Sequence, residues 1–297
     1  MMETKAYIVR DVKSLRQSIA RLKRGGHSIA FIPTMGALHK GHLSLIELAH
    51  RKADKVVVSI YVNPTQFAPD EDFDAYPRTE ESDVDALNSA KCDLIYIPDR
   101  GTMYGKYHAT HIKVGGVADG LETDHRPTFF EGVALVVTKL LNRVAPDIAI
   151  FGEKDYQQLA TIKRLTNDLD MPIEIVGGPI ARDDHGLALS SRNAYFDEDG
   201  LKLARQLNKI MFACAKDIEA GQAIEISVEM AMRKLLTNGF HIVDYIGVAD
   251  SESLDLIKTG LPKGEARLLV AAHCPRNGKD GITVRLIDNC AIKMLDA

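Results

Sequence analysis

Two histidines three residues apart, His39 and His42, lie in the segment Pro33-Thr34-Met35-Gly36-Ala37-Leu38-His39-Lys40-Gly41-His42. An apolar run precedes this segment and an amphipathic one follows, so it reads as a strand–turn–helix junction. In an open α/β sheet, ligands sit outside the carboxyl ends of the strands. A helix N-terminus there offers unpaired N–H groups and a partial positive charge, which suits phosphate. Two imidazoles on the first helical turn point to one side and can donate to phosphate oxygens as negative charge builds up. HxxH taken alone is equally a pair of exposed histidines, and a zinc site would need a third ligand or an intervening Glu. The strand–turn–helix setting, with the small Gly36 and Gly41, favours phosphate contact.

Three further clusters could carry chemistry. Phe151-Gly152-Glu153-Lys154-Asp155-Tyr156-Gln157-Gln158 also follows a strand and opens a helix. Gly152 permits close approach of a ligand to the backbone. Lys154 can reach a phosphate, and Asp155 can take ribose hydroxyls or simply cap the helix. Leu189-Ser190-Ser191-Arg192-Asn193 sets two hydroxyls beside a guanidinium, which suits a clamp on polyphosphate and equally an ordinary polar turn. Asn63-Pro64-Thr65-Gln66-Phe67 ends the strongest strand pattern, and Gln66 can bond a hydroxyl or a carboxylate. Gly101 to Lys106 falls one residue short of a P-loop, and no GxGxxG is present. His108 and His111 read as solvated loop residues, and Asp83 and Asp85 as the wet face of a helix.

The elements needed to position these clusters are legible as hydrophobic periodicity. Leu15, Ile19 and Leu22 mark a helix stopped by Gly25-Gly26, and Lys55 to Val62 is a β-branched run expected of a strand buried on both faces. Strands are expected at 28–32, 93–97, 147–151 and 173–176, and helices from near Gly41, at 80–91, 132–144 and 156–169. This alternation predicts a doubly wound, Rossmann-like parallel sheet over residues 1–183. Beyond it, helices at 197–220 and 224–238 precede strands at 243–249, 266–274 and 282–287. That order predicts a smaller C-terminal α+β domain over 184–297. Lys plus Arg is 37 against 41 for Asp plus Glu, a net charge of −4 that argues against a nucleic-acid binder. The four cysteines have no CxxC pair and read as buried fillers in a reducing compartment. No run approaches the roughly 20 apolar residues of a membrane span, and the first ten residues lack a signal-peptide core, so a cytoplasmic location is expected.

Taken together, PTMGALHKGH, VNPTQF, YPRT, FGEKDYQQL and GLALSSRN resemble the pantoate–β-alanine ligases in order and spacing, over nearly the whole chain and down to Leu286-Ile287-Asp288-Asn289. HKGH looks like the HIGH element of the wider nucleotidyltransferase superfamily, and LSSR like its serine-and-basic counterpart. The resemblance implies a two-step reaction. Pantoate attacks the α-phosphorus of ATP to give pantoyl adenylate and pyrophosphate, and β-alanine then displaces AMP. It implies that Met35, Gly36, Ala37, Leu38, His39, Lys40, Gly41, His42, Gly152, Glu153, Lys154, Asp155, Ala181, Leu189, Ser190, Ser191 and Arg192 bind ATP. His42, His39, Lys154 and Arg192 would serve catalysis, with His42 as proton donor. Gln66 would contact pantoate and β-alanine, and Gln158 pantoate. Mg²⁺ with no assigned protein ligands and a homodimer are implied as well. One stretch departs from the family. Arg126-Pro127-Thr128-Phe129-Phe130 stands where the family usually reads Arg-Pro-Gly-His-Phe, which removes a permissive glycine and a titratable ring. Cys274 to Gly281 also looks like an extended hairpin turn. The competing readings are a nucleotidyltransferase that stops at an adenylate, a non-catalytic nucleotide-binding module and, more remotely, a metal-dependent hydrolase.

Overall fold

A computed structural model of the chain describes residues 5–68, 71–278 and 281–293. Lys279 and Asp280 of the expected hairpin extension lie outside the described residues. The chain forms two compact units, one of residues 1–118, 126–153 and 158–179, the other of 119–125, 154–157 and 180–297. The elements run β1 (Tyr7–Val9), α1 (Val12–Leu22), β2 (Ile29–Thr34), α2 (Lys40–Lys52), β3 (Lys55–Ile60), α3 (Glu80–Ser89) and β4 (Leu94–Tyr96). They continue with α4 (Arg100–Met103), α5 (Glu122–His125), α6 (Phe129–Val144), β5 (Ile148–Gly152), α7 (Tyr156–Asp168) and β6 (Glu174–Gly178). After these come α8 (Glu198–Ala204), α9 (Gln206–Glu219), α10 (Ile224–Thr237), β7 (Ile242–Asp250), β8 (Ala266–Pro275) and β9 (Thr283–Ile292).

The larger unit holds a six-stranded parallel sheet in the order β1-β4-β3-β2-β5-β6. Alternate residues of the central strands feed two cores. Ile29, Phe31 and Val57 pack with Leu15, Ile19, Val133 and Leu141 of α1 and α6. Ala30, Ile32, Val56 and Val58 pack with Leu45, Ile46, Ala49 and Leu87 of α2 and α3. Burial on both faces explains the unbroken apolar run of β3. From β2 the chain winds to one side through β3 and β4, and β5 then pairs with β2 on the other side, Ala30 opposite Ile148. The order reverses between β2 and β5, which is where an open α/β sheet forms its ligand crevice.

The smaller unit is an antiparallel sheet, β7-β8-β9, with α9 and α10 closing its core on Leu268, Val270, Ala272, Leu286 and Cys290. Arg267, Arg285 and Asn289 alternate with these core residues along β8 and β9. Arg285 forks onto Glu122 of α5 at 2.7 and 2.9 Å and onto Asp244 at 2.7 Å.

Several elements differ from the sequence reading, each for a local reason. The short edge strand β1 escapes periodicity because its three residues read outward, outward, inward. The helix expected over 197–220 is broken at Arg205, which closes α8 and opens α9. The last strand runs on through polar Asp288 and Asn289, both buried, to Ile292. No helix among the described residues is long and apolar enough to cross a membrane. All four cysteines are buried, and burial pushes each thiol up to about 12, so they remain protonated and inert.

The ion cluster gives a pH prediction. Burial works to raise the Asp244 carboxyl, but hydrogen bonds from His273 and Arg285, with the Arg285 charge, outweigh it and hold the group at about 2. The folded state therefore keeps this charge below the ordinary value of 3.8. The resulting stability, about 2 kcal/mol, is present above the unfolded pKa and is lost as pH falls toward the folded one. Asp244→Asn should lower stability at neutral pH by about that amount and flatten the acid limb of a denaturation series below pH ~4. An unchanged acid limb would contradict this assignment.

Candidate active site

The turn after β2 is built around one carboxylate. Gly36 and Ala37 both have positive φ, +81° and +49°, so two successive residues occupy the left-handed region. Glycine adopts it freely, whereas Ala37 is held there at a cost of about 1–2 kcal/mol. Asp83 supplies the hold: its Oδ2 accepts the Ala37 N–H at 2.9 Å and its Oδ1 the Leu38 N–H at 2.8 Å. Thr79 Oγ1 donates to the same carboxylate at 3.2 Å. A Cβ on Gly36 would stand 2.9 Å from Asp83 Oδ2, so the glycine is needed for space as well as for φ. Asp83 is 3% exposed, which overturns its reading as part of a wet helix face; Asp85, two residues on, is exposed. Spacing on a helix gave no hint of this, because the partners lie in a turn 45 residues away.

The turn delivers the chain to α2, whose N-terminus is capped by the two histidines. His39 Nδ1 accepts the Gly41 N–H at 3.1 Å, and His42 Nδ1 accepts the His39 N–H at 3.3 Å. The rings lie 4.2 Å apart. A ring nitrogen that accepts a backbone N–H carries no proton, so each neutral imidazole bears its hydrogen on Nε2 and presents a donor. Met35, Ala37, Leu38, His39, Gly41 and His42 are half-buried, Gly36 is buried and Lys40 is exposed.

Gln66 is oriented by a chain of hydrogen bonds. Tyr104 OH donates to Asn63 Oδ1 at 2.7 Å, and Asn63 Nδ2 donates to Gln66 Oε1 at 3.1 Å. The amide oxygen of Gln66 is thereby engaged, and its nitrogen faces Met35 Sδ at 3.0 Å, a weak acceptor. Asn63 is 1% exposed and also donates to Gly132 O at 3.2 Å. Gly132 lets α6 meet this turn, since a Cβ there would lie 2.2 Å from Thr65 O. The departing stretch has a role here. Thr128 has φ −101°, so no glycine is required, and α6 begins at Phe129 rather than at Gly132. Phe129 lies under the Arg126 guanidinium at 3.9 Å, and Arg126 pairs with Glu71 and donates to Gln66 O at 3.1 Å.

Gly152 is the last residue of β5, and an added Cβ there would meet nothing within 4 Å. Glu153 and Gln158 fall in the larger unit, and Gln158 is half-buried on α7. Its neighbour Gln157 is buried, donates to Asp119 O and Gly120 O, and accepts the Glu122 N–H. Lys154, Asp155, Ala181 and Leu189 to Arg192 fall in the smaller unit. There Lys154 Nζ stands 3.9 Å from Asp155, Leu189 N bonds Ala181 O at 2.9 Å, and Ser190 caps a 3-10 turn of Ser191–Tyr195 by accepting the Arg192 N–H. Among the described residues, no group of three or more His, Cys, Asp or Glu side chains could hold a metal ion.

A parallel sheet with a doubly capped, histidine-bearing helix start at its switch point defines a nucleotide-handling α/β enzyme. The comparisons make this specific. The sequence model of the pantoate-beta-alanine ligase family matches residues 7–291, and the chain belongs to that family. It is 51% identical to a pantothenate synthetase of Mesorhizobium japonicum over 83% of this chain and 87% of that one. With the pantothenate synthetase of Sphingopyxis alaskensis it is 47% identical, over 96% and 99% of the two chains. The crystal structure of the Thermus thermophilus pantothenate synthetase superposes with a TM-score of 0.87 at 38% identity, covering 96% of this chain and 98% of that one. A Francisella tularensis pantoate-beta-alanine ligase, solved with beta-gamma ATP and beta-alanine, gives a TM-score of 0.79 at 32% identity over 96% and 97%. The chain is an ATP-dependent ligase that joins pantoate to β-alanine.

The clasp on the turn after β2 is directly testable. Asp83→Ala should cost about 1–3 kcal/mol of stability, because two backbone N–H groups lose a charged acceptor. It should also lower turnover on the order of tenfold or more, because the α2 N-terminus is displaced. Asp85→Ala on the same helix should leave melting temperature and turnover unchanged. Equal effects from the two variants would refute the clasp.

Proposed function

We propose that ATP is bound by Met35 to His42, Gly152 to Asp155, Ala181 and Leu189 to Arg192, and pantoate by Gln66 and Gln158. The observation that carries this reading is the pair of imidazoles at the start of α2, each held by a backbone N–H that its Nδ1 accepts. Pantoate's carboxylate is already ionised near neutral pH, so adenylation needs no strong base. The difficulty is to bring two anions together and to stabilise charge on the departing pyrophosphate. A carboxylate oxygen bonds to the α-phosphorus as the bond to the β-phosphate bridging oxygen breaks. His39, His42, Lys154 and Arg192 donate to the phosphate oxygens while this happens.

β-Alanine then attacks the acyl carbon as its free amine, the acyl–phosphate bond breaks, and AMP leaves with the electron pair as the nitrogen sheds a proton. Gln66 presents N–H groups to pantoate oxygens without adding charge to an already anionic site. Mg²⁺ would accompany the nucleotide and would supply charge neutralisation at the phosphates. The buried, unpaired thiols support a cytoplasmic location, and the family likeness supports a homodimer.

Turnover with ATP, pantoate and Mg²⁺, with and without β-alanine, tests the reading. AMP formation should depend on β-alanine and match pantothenate mole for mole. Pyrophosphate without amide would point instead to an enzyme that stops at the adenylate. His42→Ala should fold yet lose adenylate formation. Gln158→Ala should weaken pantoate by about 1–3 kcal/mol and leave ATP unaffected, and equal loss of both substrates would contradict its assignment.

A further inference from the structure

Asp288 and Asn289, adjacent on β9, are polar residues in a strand whose neighbours are core, and both are almost fully buried at 3% and 1% exposure. Burial of such groups is costly unless each polar atom is matched. Here the matches lead to the nucleotide residues of the smaller unit. Asn289 Nδ2 donates to the backbone oxygen of Lys154 at 2.9 Å. Its Oδ1 accepts from Arg267 Nε at 2.6 Å, so both ends of the amide are committed. The Arg267 guanidinium stacks on the ring of Tyr156 at 3.9 Å, and Tyr156 OH donates to Ser251 O at 2.9 Å. The residues on either side of Asp155 are thus held from the β-sheet. Asp288 does the same for the second stretch. It takes a two-pronged ion pair from Arg182, at 2.6 and 2.9 Å, and Arg182 also donates to Gly186 O at 2.9 Å. That fixes the turn in which Leu189 N returns to Ala181 O. The Asp288 carboxylate further accepts the Asn289 N–H at 2.8 Å, tying the two anchors together.

We propose that the Asp288–Asn289 pair is a positioning element for ATP, with Asn289 setting Lys154 and Asp288 setting the 181–189 turn. The proposal rests on the assignment of Lys154 to ATP, and its test separates the two. Steady-state kinetics are measured on Lys154→Ala, Asn289→Ala and the double variant, varying each substrate in turn, with melting temperatures recorded. Lys154→Ala should raise the KM for ATP or lower kcat. Asn289→Ala should impair kcat/KM for ATP about tenfold, with the KM values for pantoate and β-alanine within about twofold of the parent. In the Lys154→Ala background, the second substitution should add less than about twofold, because its effect passes through Lys154.

Full multiplicative loss in the double variant, or equal loss for all three substrates, would overturn the proposal and leave Asn289 with a structural role only. No effect of Lys154→Ala would remove both the assignment of Lys154 and the inference built on it. If Asn289→Ala does not fold, Asn289→Asp serves the same cycle. It keeps the acceptor for Arg267 and removes the donor to Lys154.

Discussion

A buried carboxylate that accepts two consecutive backbone N–H groups fixes the one turn from which the rest of the site is arranged. Without Asp83, Ala37 in its left-handed conformation loses the carboxylate that holds it and the following N–H. With it, the chain leaves β2 and enters α2 in a single conformation. The helix start then presents its own N–H groups and the two imidazoles, whose tautomers are set by the backbone they cap. Preorganisation of this kind matters most where charge moves, because donors already in place need not reorganise when it does.

The same economy governs the neutral part of the site. Tyr104, Asn63 and Gln66 form a line of hydrogen bonds that commits the amide oxygen of Gln66 to Asn63 and leaves its nitrogen against the weak acceptor Met35 Sδ. Arg126 holds the backbone of Gln66 from the other direction and is itself flanked by Glu71 and Phe129. Substitution of an aromatic hydrocarbon for the family's usual histidine at position 129 is accommodated by this stack.

Much of this was legible in the sequence, because it follows from period and punctuation. The alternating cores of β2 and β3 read directly as a sheet covered on both faces, and the HKGH and GEKD segments stand where strands give way to helices. What stayed hidden depends on partners far apart in the chain. Asp83 looks like any acidic residue of an exposed helix until the 36–38 turn is folded against it. Asp288 and Asn289 break the apolar pattern of the last strand, so periodicity alone ends that strand at 287 and takes buried polar residues for a terminus. Arg205 breaks an otherwise continuous helical pattern with no Gly or Pro to announce it. Short elements such as β1 carry too few residues for any period to show.

Amide hydrogen exchange at Ala37 and Leu38 in the ligand-free protein is the most direct measurement of the central claim. If the Asp83 carboxylate holds these N–H groups before substrate arrives, both amides should exchange orders of magnitude more slowly than an open loop, and Asp83→Ala should abolish that protection. Loop-like exchange of both amides in the parent protein would mean that the turn is organised by the nucleotide and not by the fold.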